Sequence, residues 1–214
     1  MSWSGTKAAF AKQYGPTIKA GAAGTGIFPE IALATAFIEG SDNAGNMGEG
    51  FAMKHGNNVF DIRVSPDWKG DAIDASGLTT NQFVIMNEVH PGDHTFAPGV
   101  SFVPVWRAYD SIEDSISDYF KFLQDNQNYH DAGVFTANTP EDQAAALQKA
   151  GYAGSSTTYA SVLSSVAKSA KQLLDGVGGF DLMAYVEDNW EWFAGGTALL
   201  MAGGFILSGS NNRP

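Results

Sequence analysis

Apolar residues recur at helical spacing along most of this chain and alternate in only a few short stretches. Ala9, Phe10, Tyr14 and Ile18 predict a first helix over 6–20. Gly21 to Gly26 reads as a flexible joint. Pro29 to Gly40 predicts a second helix, opened by Pro29 and closed by Gly40. The stretch 41–56 is rich in Gly and Asn and reads as loop, and 70–80 reads as turns. Alternation over 58–64 suggests a short strand. Runs at 82–89 and 100–106 suggest a β-hairpin with a Pro/Gly-rich connection, and Pro104 favours an edge position. Helical stripes then return. One is Ile112, Ile116, Tyr119, Phe120 and Leu123 behind the capping box Ser111–Asp114. Another opens at Thr139-Pro140 and stops at Gly151. A third is Tyr159, Val162, Leu163, Val166, Ala170, Leu173 and Leu174. The expected fold class is α+β and mainly α: a helical body with a small β-hairpin lobe, followed by a C-terminal hydrophobic helix.

The predicted second helix carries the most informative charge. Glu30 lies in its first turn, where the helix dipole favours an anion, and Glu39 in its last, where the dipole opposes one. The residues on the Glu39 face, Ala32, Thr35 and Ala36, are small and leave room for close approach. A glutamate in such surroundings has a raised pKa, as a general acid requires. Taken alone, the same glutamate reads more readily as a loop cap or as the partner of an arginine.

Composition narrows the field. The 214 residues include 12 Lys+Arg against 23 Asp+Glu, a net charge of −11, with no basic block, so nucleic acid is not an expected partner. The chain has no cysteine, which excludes a disulfide framework and a thiolate zinc site. The first twenty residues lack an apolar core, so no signal peptide is expected. Three regions are expected: a body over 1–174, a Gly-rich linker over 175–180, and an amphipathic then hydrophobic segment over 181–214. Within the last, Trp192 to Leu207 carries no charge, and Ala194, Ala198 and Ala202 form a small-residue stripe. Trp190 and Trp192 precede it and Arg213 follows. Residues 192–209 are therefore a candidate membrane contact, short of the ~20 residues a spanning helix needs. No metal or other cofactor is expected. His90 and His94 lack the flanking glutamate of a zinc helix, and Asp42–Glu49 departs from a calcium loop.

Four motifs in order resemble the glucosaminidase family that includes flagellar and autolysin-type peptidoglycan hydrolases (glycoside hydrolase family 73). They are Ala32–Ser41 around Glu39; Asn57-Asn58-Val59-Phe60-Asp61-Ile62-Arg63 with Trp68-Lys69-Gly70; Trp106-Arg107-Ala108-Tyr109 with Ser111–Ser115; and Gly151-Tyr152-Ala153 with Tyr159. Asp61 stands where the family usually has glycine, Phe37-Ile38 replace a more polar pair, and the hairpin has its own sequence. The resemblance implies a lysozyme-like fold and cleavage of the β-1,4 bond between N-acetylglucosamine and N-acetylmuramic acid, with peptidoglycan glycan strands as partner. It makes Glu39 the general acid. It places a second acid on the hairpin, where Glu88 fits best, Asp93 next, and Asp71 and Asp74 less well. Tyr152 is expected to act beside Glu39. Phe60, Trp68, Tyr109 and Tyr159 are expected to contact sugar. Phage-lysin or virion context suits the absence of a signal peptide. A lytic transglycosylase and a non-catalytic wall-binding or virion protein on the same scaffold are the alternative readings.

Overall fold

The computed structural model describes residues 3–65, 68–73, 79–81, 106–154 and 156–176. In chain order these form α1 (Lys7–Ala22), α2 (Pro29–Glu39), α3 (Phe51–Gly56), β1 (Asp71–Ile73), β2 (Thr79–Asn81), β3 (Trp106–Arg107), α4 (Ile112–Asp125), α5 (Gln127–Ala132), a 3-10 turn (Val134–Thr136), α6 (Pro140–Lys149) and α7 (Tyr159–Leu174).

Helix α2 is the centre of the body. Every residue from Ile31 to Ile38 is buried, the pattern of a helix covered on all sides. It packs against α1, α6 and α7. Pro29 starts it without losing a needed N–H, and Gly40 follows its last turn. A side chain at Gly40 would collide with the Ala36 carbonyl at 2.7 Å, so the chain can leave α2 this tightly only through glycine. Helix α4 begins where the capping box predicts it: the Ser111 hydroxyl accepts the Asp114 N–H at 3.1 Å. Its apolar stripe is buried, and the amphipathic α7 contributes Tyr159, Leu163, Val166, Ala167 and Ala170 to the same core.

Two buried side-chain amides fasten irregular backbone into this core. Gln143 of α6 accepts the Phe28 N–H at 2.8 Å and donates to the carbonyls of Gly26 (2.8 Å) and Val134 (2.7 Å), fixing the entry to α2. Asn58 accepts the Ile62 N–H at 3.0 Å and donates to the carbonyls of Ile62 (2.7 Å) and Arg107 (2.9 Å). The Val59 N–H donates to the Ser115 hydroxyl at 3.1 Å. The segment 57–63 is therefore a folded loop, not the strand its alternation suggests. Its Asn57 and Asp61 have φ of 52° and 53°, which a strand cannot contain. Among the described residues its β pairing is a bridge from Arg63 to Trp106.

The small sheet also differs from expectation. It is antiparallel with order β2-β1-β3. Ala72 pairs with Thr80 and Arg107, and Ile73 with Thr79 and Trp106. Residues read as turns therefore supply its central strand, and 51–56, read as loop, form α3. The expected hairpin runs lie mostly outside the described residues, as do Glu88, Asp93, Asp74 and the whole segment after 176, including the candidate membrane contact at 192–209. Among the described residues no helix is long and apolar enough to cross a membrane.

Truncating Asn58 to Ala leaves the Ile62 N–H and the Arg107 carbonyl without their partner in a buried site, while the Ile62 carbonyl keeps only the Arg107 N–H at 3.0 Å. Urea unfolding is expected to show a loss of about 2–4 kcal/mol. A loss below 0.5 kcal/mol would show that the loop does not depend on this amide.

Candidate active site

A cleft of about 470 Å³ opens beside the C-terminal end of α2. Glu39 supplies one wall, the loop from Phe60 to Ser65 a second, and the turn Gly151–Gly154 a third, with Phe122 and Tyr129 completing the lining. Local structure explains each wall. Glu39 ends α2, so its side chain emerges where the helix leaves the core. The Asn58 hydrogen bonds curl the loop so that Asp61 and Arg63 line the cleft while Val59 and Ile62 are buried. Gly151 at φ 88° reverses the chain after α6 and lets the Tyr152 N–H return to the Leu147 carbonyl at 3.1 Å, a helix-ending turn that favours glycine.

Glu39 is half-buried, and its pKa is held well above the usual carboxylate range. Loss of water around the carboxyl is the largest cause and the Asp61 charge the next; a hydrogen bond from Tyr159 and the Arg63 charge act the other way. The Tyr159 hydroxyl donates to Glu39 Oε1 at 3.1 Å. Asp61 is also held above its usual range by burial, against the pull of Arg63 and of the Trp106 indole N–H. That N–H points to Asp61 without closing a hydrogen bond of ordinary geometry and is otherwise buried and unpaired. The arrangement is a proton-holding carboxyl, a second acid and a cation around one cleft. Among the described residues no group of three His, Asp or Glu side chains could hold a metal. Asp42, in the calcium-like stretch, spends its carboxylate on the N–H groups of Ala44 and Asn46.

Residues 15–172 match the family model described as Glucosaminidase, mannosyl-glycoprotein endo-beta-N-acetylglucosaminidase. The chain belongs to this glucosaminidase family. Its members are glycoside hydrolases, and the relatives agree. The peptidoglycan hydrolase FlgJ of Vibrio parahaemolyticus is 28% identical over 151 residues, covering 71% of this chain and 43% of that protein. FlgJ of Salmonella typhimurium is 32% identical over 120 residues, covering 56% and 33%. The chain thus spans less than half the length of these curated relatives. The fold is shared with a peptidoglycan hydrolase mutant from Sphingomonas sp. A1 (TM-score 0.54, 22% identity, 79% of this chain and 99% of that one). It is shared equally with the glycoside hydrolase domain of Salmonella typhimurium FlgJ (TM-score 0.52, 23% identity, 86% and 99%).

Within this glucosaminidase domain, the residues singled out from sequence separate into two groups. Glu39, Tyr152 and Tyr159 come together, but the contact with Glu39 is made by Tyr159. The Tyr152 hydroxyl instead donates to the Phe60 carbonyl at 2.8 Å while its ring stacks near Tyr159 at 5.9 Å. Phe60 reaches the cleft, yet its ring is 1% exposed and stacks on Tyr119 at 4.0 Å, so no ring face is left for a sugar. Trp68 and Tyr109 stand apart from the cleft lining. They form a cluster around Arg107, which lies 4.6 Å over Trp68 and pairs with Asp118 at 2.7 Å. Tyr109 donates to the same Asp118 oxygen at 2.7 Å. Asp71 lies on β1 and does not line the cleft. Sequence reasoning passed over Asp61, Arg63, Phe122 and Tyr129 as site residues. The available signal was Asp61 itself, an acid where the family usually has glycine.

The folded protein holds the Glu39 proton more tightly than the unfolded chain does. Stability should therefore fall as pH rises from the ordinary carboxylate range through the raised folded value. Glu39→Gln removes that loss. It is expected to be more stable than wild type by about 1–2 kcal/mol at neutral to alkaline pH, with the difference closing at acid pH. Denaturant unfolding across pH checks this, and a difference independent of pH would contradict it.

Proposed function

We propose that the chain is a peptidoglycan hydrolase that cleaves the β-1,4 bond between N-acetylglucosamine and N-acetylmuramic acid in glycan strands. The observation that carries this reading is the place of Glu39 in the cleft wall of a glucosaminidase-family domain, with the Tyr159 hydroxyl on its carboxyl and burial raising its pKa. Cleavage requires a proton at the leaving glycosidic oxygen as the sugar ring gains oxocarbenium character. Glu39 is the donor. The Tyr159 hydroxyl orients its carboxyl and stabilises the carboxylate left after transfer. Arg63 supports that same charge. A second carboxylate completes the reaction by activating water or stabilising the ring cation, and Glu88 is the residue proposed for it. Tyr152 acts from the wall, holding the Phe60 carbonyl and thereby the loop opposite Glu39. The FlgJ relatives, named peptidoglycan hydrolases, support the choice of substrate.

The test is clearing of purified cell walls, followed by product analysis. Wild type should release reducing N-acetylglucosamine ends. Glu39→Gln should lose at least ~100-fold in rate, the lower end of general-acid contributions. Equal clearing by both proteins would remove Glu39 from its role, and anhydro-muramic ends would make the enzyme a lytic transglycosylase. Glu88→Gln should lose activity while leaving the folded state intact, as judged by unfolding. Full activity in that variant would assign the second acid elsewhere.

A further inference from the structure

Asp61 is the feature of the cleft that the proposed reaction does not use. It stands at a backbone position with φ 53°, which favours glycine and which, among other residues, Asn and Asp tolerate best. Glycine is also what the family resemblance places there. This chain has instead put a carboxylate into the wall of the cleft that Glu39 also lines.

We propose that Asp61 is a positioning residue that keeps the transferable proton on Glu39. The inference rests on Glu39 being the proton donor. Both acids line one cleft, and each is surrounded by groups that decide which of them ionises. Facing Glu39 are Tyr159 from α7, Asp61 and Arg63 from the loop, and the neutral Tyr119 of α4 and Tyr152. Facing Asp61 are Arg63, two residues along the same loop, and the buried indole N–H of Trp106 on β3. Arg63 lies 5.6 Å over the Trp106 ring and forms a β-bridge with Trp106, so the cation is held beside the residue whose N–H faces Asp61. The cation therefore selects Asp61 as the ionised member. Its negative charge then opposes a second ionisation beside it, and the proton stays on Glu39. The unpaired Trp106 N–H, itself on a residue 8% exposed, is a donor directed at the charged form of Asp61. A glycine here would remove the carboxylate that the Trp106 N–H faces.

The full chain, labelled with carboxyl-13C glutamate, allows the Glu39 resonance to be assigned by its loss in Glu39→Gln and followed through a pH titration. Asp61→Asn and Asp61→Gly, both compatible with the positive φ, should each lower the Glu39 midpoint by ~1 pH unit or more. An unchanged midpoint in both variants overturns the proposal. The pH profile of wall clearing gives a second reading. Its alkaline limb should move to lower pH in both variants, whereas a purely structural loss would lower the profile at every pH and leave the limb in place. If wild type clears no walls while the Glu39 midpoint still moves, the hydrolase reading fails and the coupling stands.

Discussion

Backbone that is neither helix nor strand runs through the interior on both sides of α2, and its polar groups must find partners there. Two side-chain amides meet that demand. Gln143 closes three hydrogen bonds around the entry to α2, and Asn58 closes three around the loop that follows α3. Both residues are fully buried. An amide suits this place because it donates and accepts at once, whereas a carboxylate only accepts and would carry a charge into the core. The cleft depends on these brackets. The Asn58 bracket, with the Tyr152 hydroxyl on the Phe60 carbonyl and the Arg107 N–H on the Ile62 carbonyl, holds the loop 60–63 in the curl that brings Asp61 and Arg63 to Glu39.

Chemistry at the cleft follows from competition between water exclusion and nearby charge. Removing water from Glu39 favours its neutral form, and the opposed helix dipole and Asp61 push the same way. Tyr159 and Arg63 resist, but by less. The same two groups become useful once the proton has left, because they face the anion that remains. A donor that is neutral before transfer and stabilised after it is the requirement of acid-assisted glycoside cleavage.

Most of the aromatic residues that look suited to sugar stacking are spent on the scaffold. Phe60 lies flat against Tyr119, and Trp68 covers the guanidinium of Arg107, which Phe122 flanks from 5.3 Å. Arg107 and Tyr109 converge on one Asp118 oxygen, so the charge of that buried arginine is neutralised within the cluster. Besides the buried Phe60, the rings that border the cleft are Phe122, Tyr129 and Tyr152. Aromatic residues at motif positions therefore report the loop architecture as much as substrate contact.

Periodicity and caps were enough to place α1, α2, α4, α6 and α7, because each carries a continuous apolar stripe and a local start or stop signal. Glu39 was legible for the same local reason: a lone carboxyl at the wrong end of a dipole stands out in an apolar helix. Short irregular elements were not legible. The segment 58–64 alternates like a strand, yet two left-handed residues and a buried amide fold it into a loop. The sequence 71–73 has too few residues to show a period, and becomes a strand only because β2 and β3 lie on either side. The choice of Tyr159 over Tyr152 as the neighbour of Glu39, and the arrival of Asp61 beside it, were likewise decided by tertiary structure. Residues 39, 61 and 159 belong to three separate elements. Their meeting depends on how α7 and the Asn58 loop pack around α2, which no local pattern encodes.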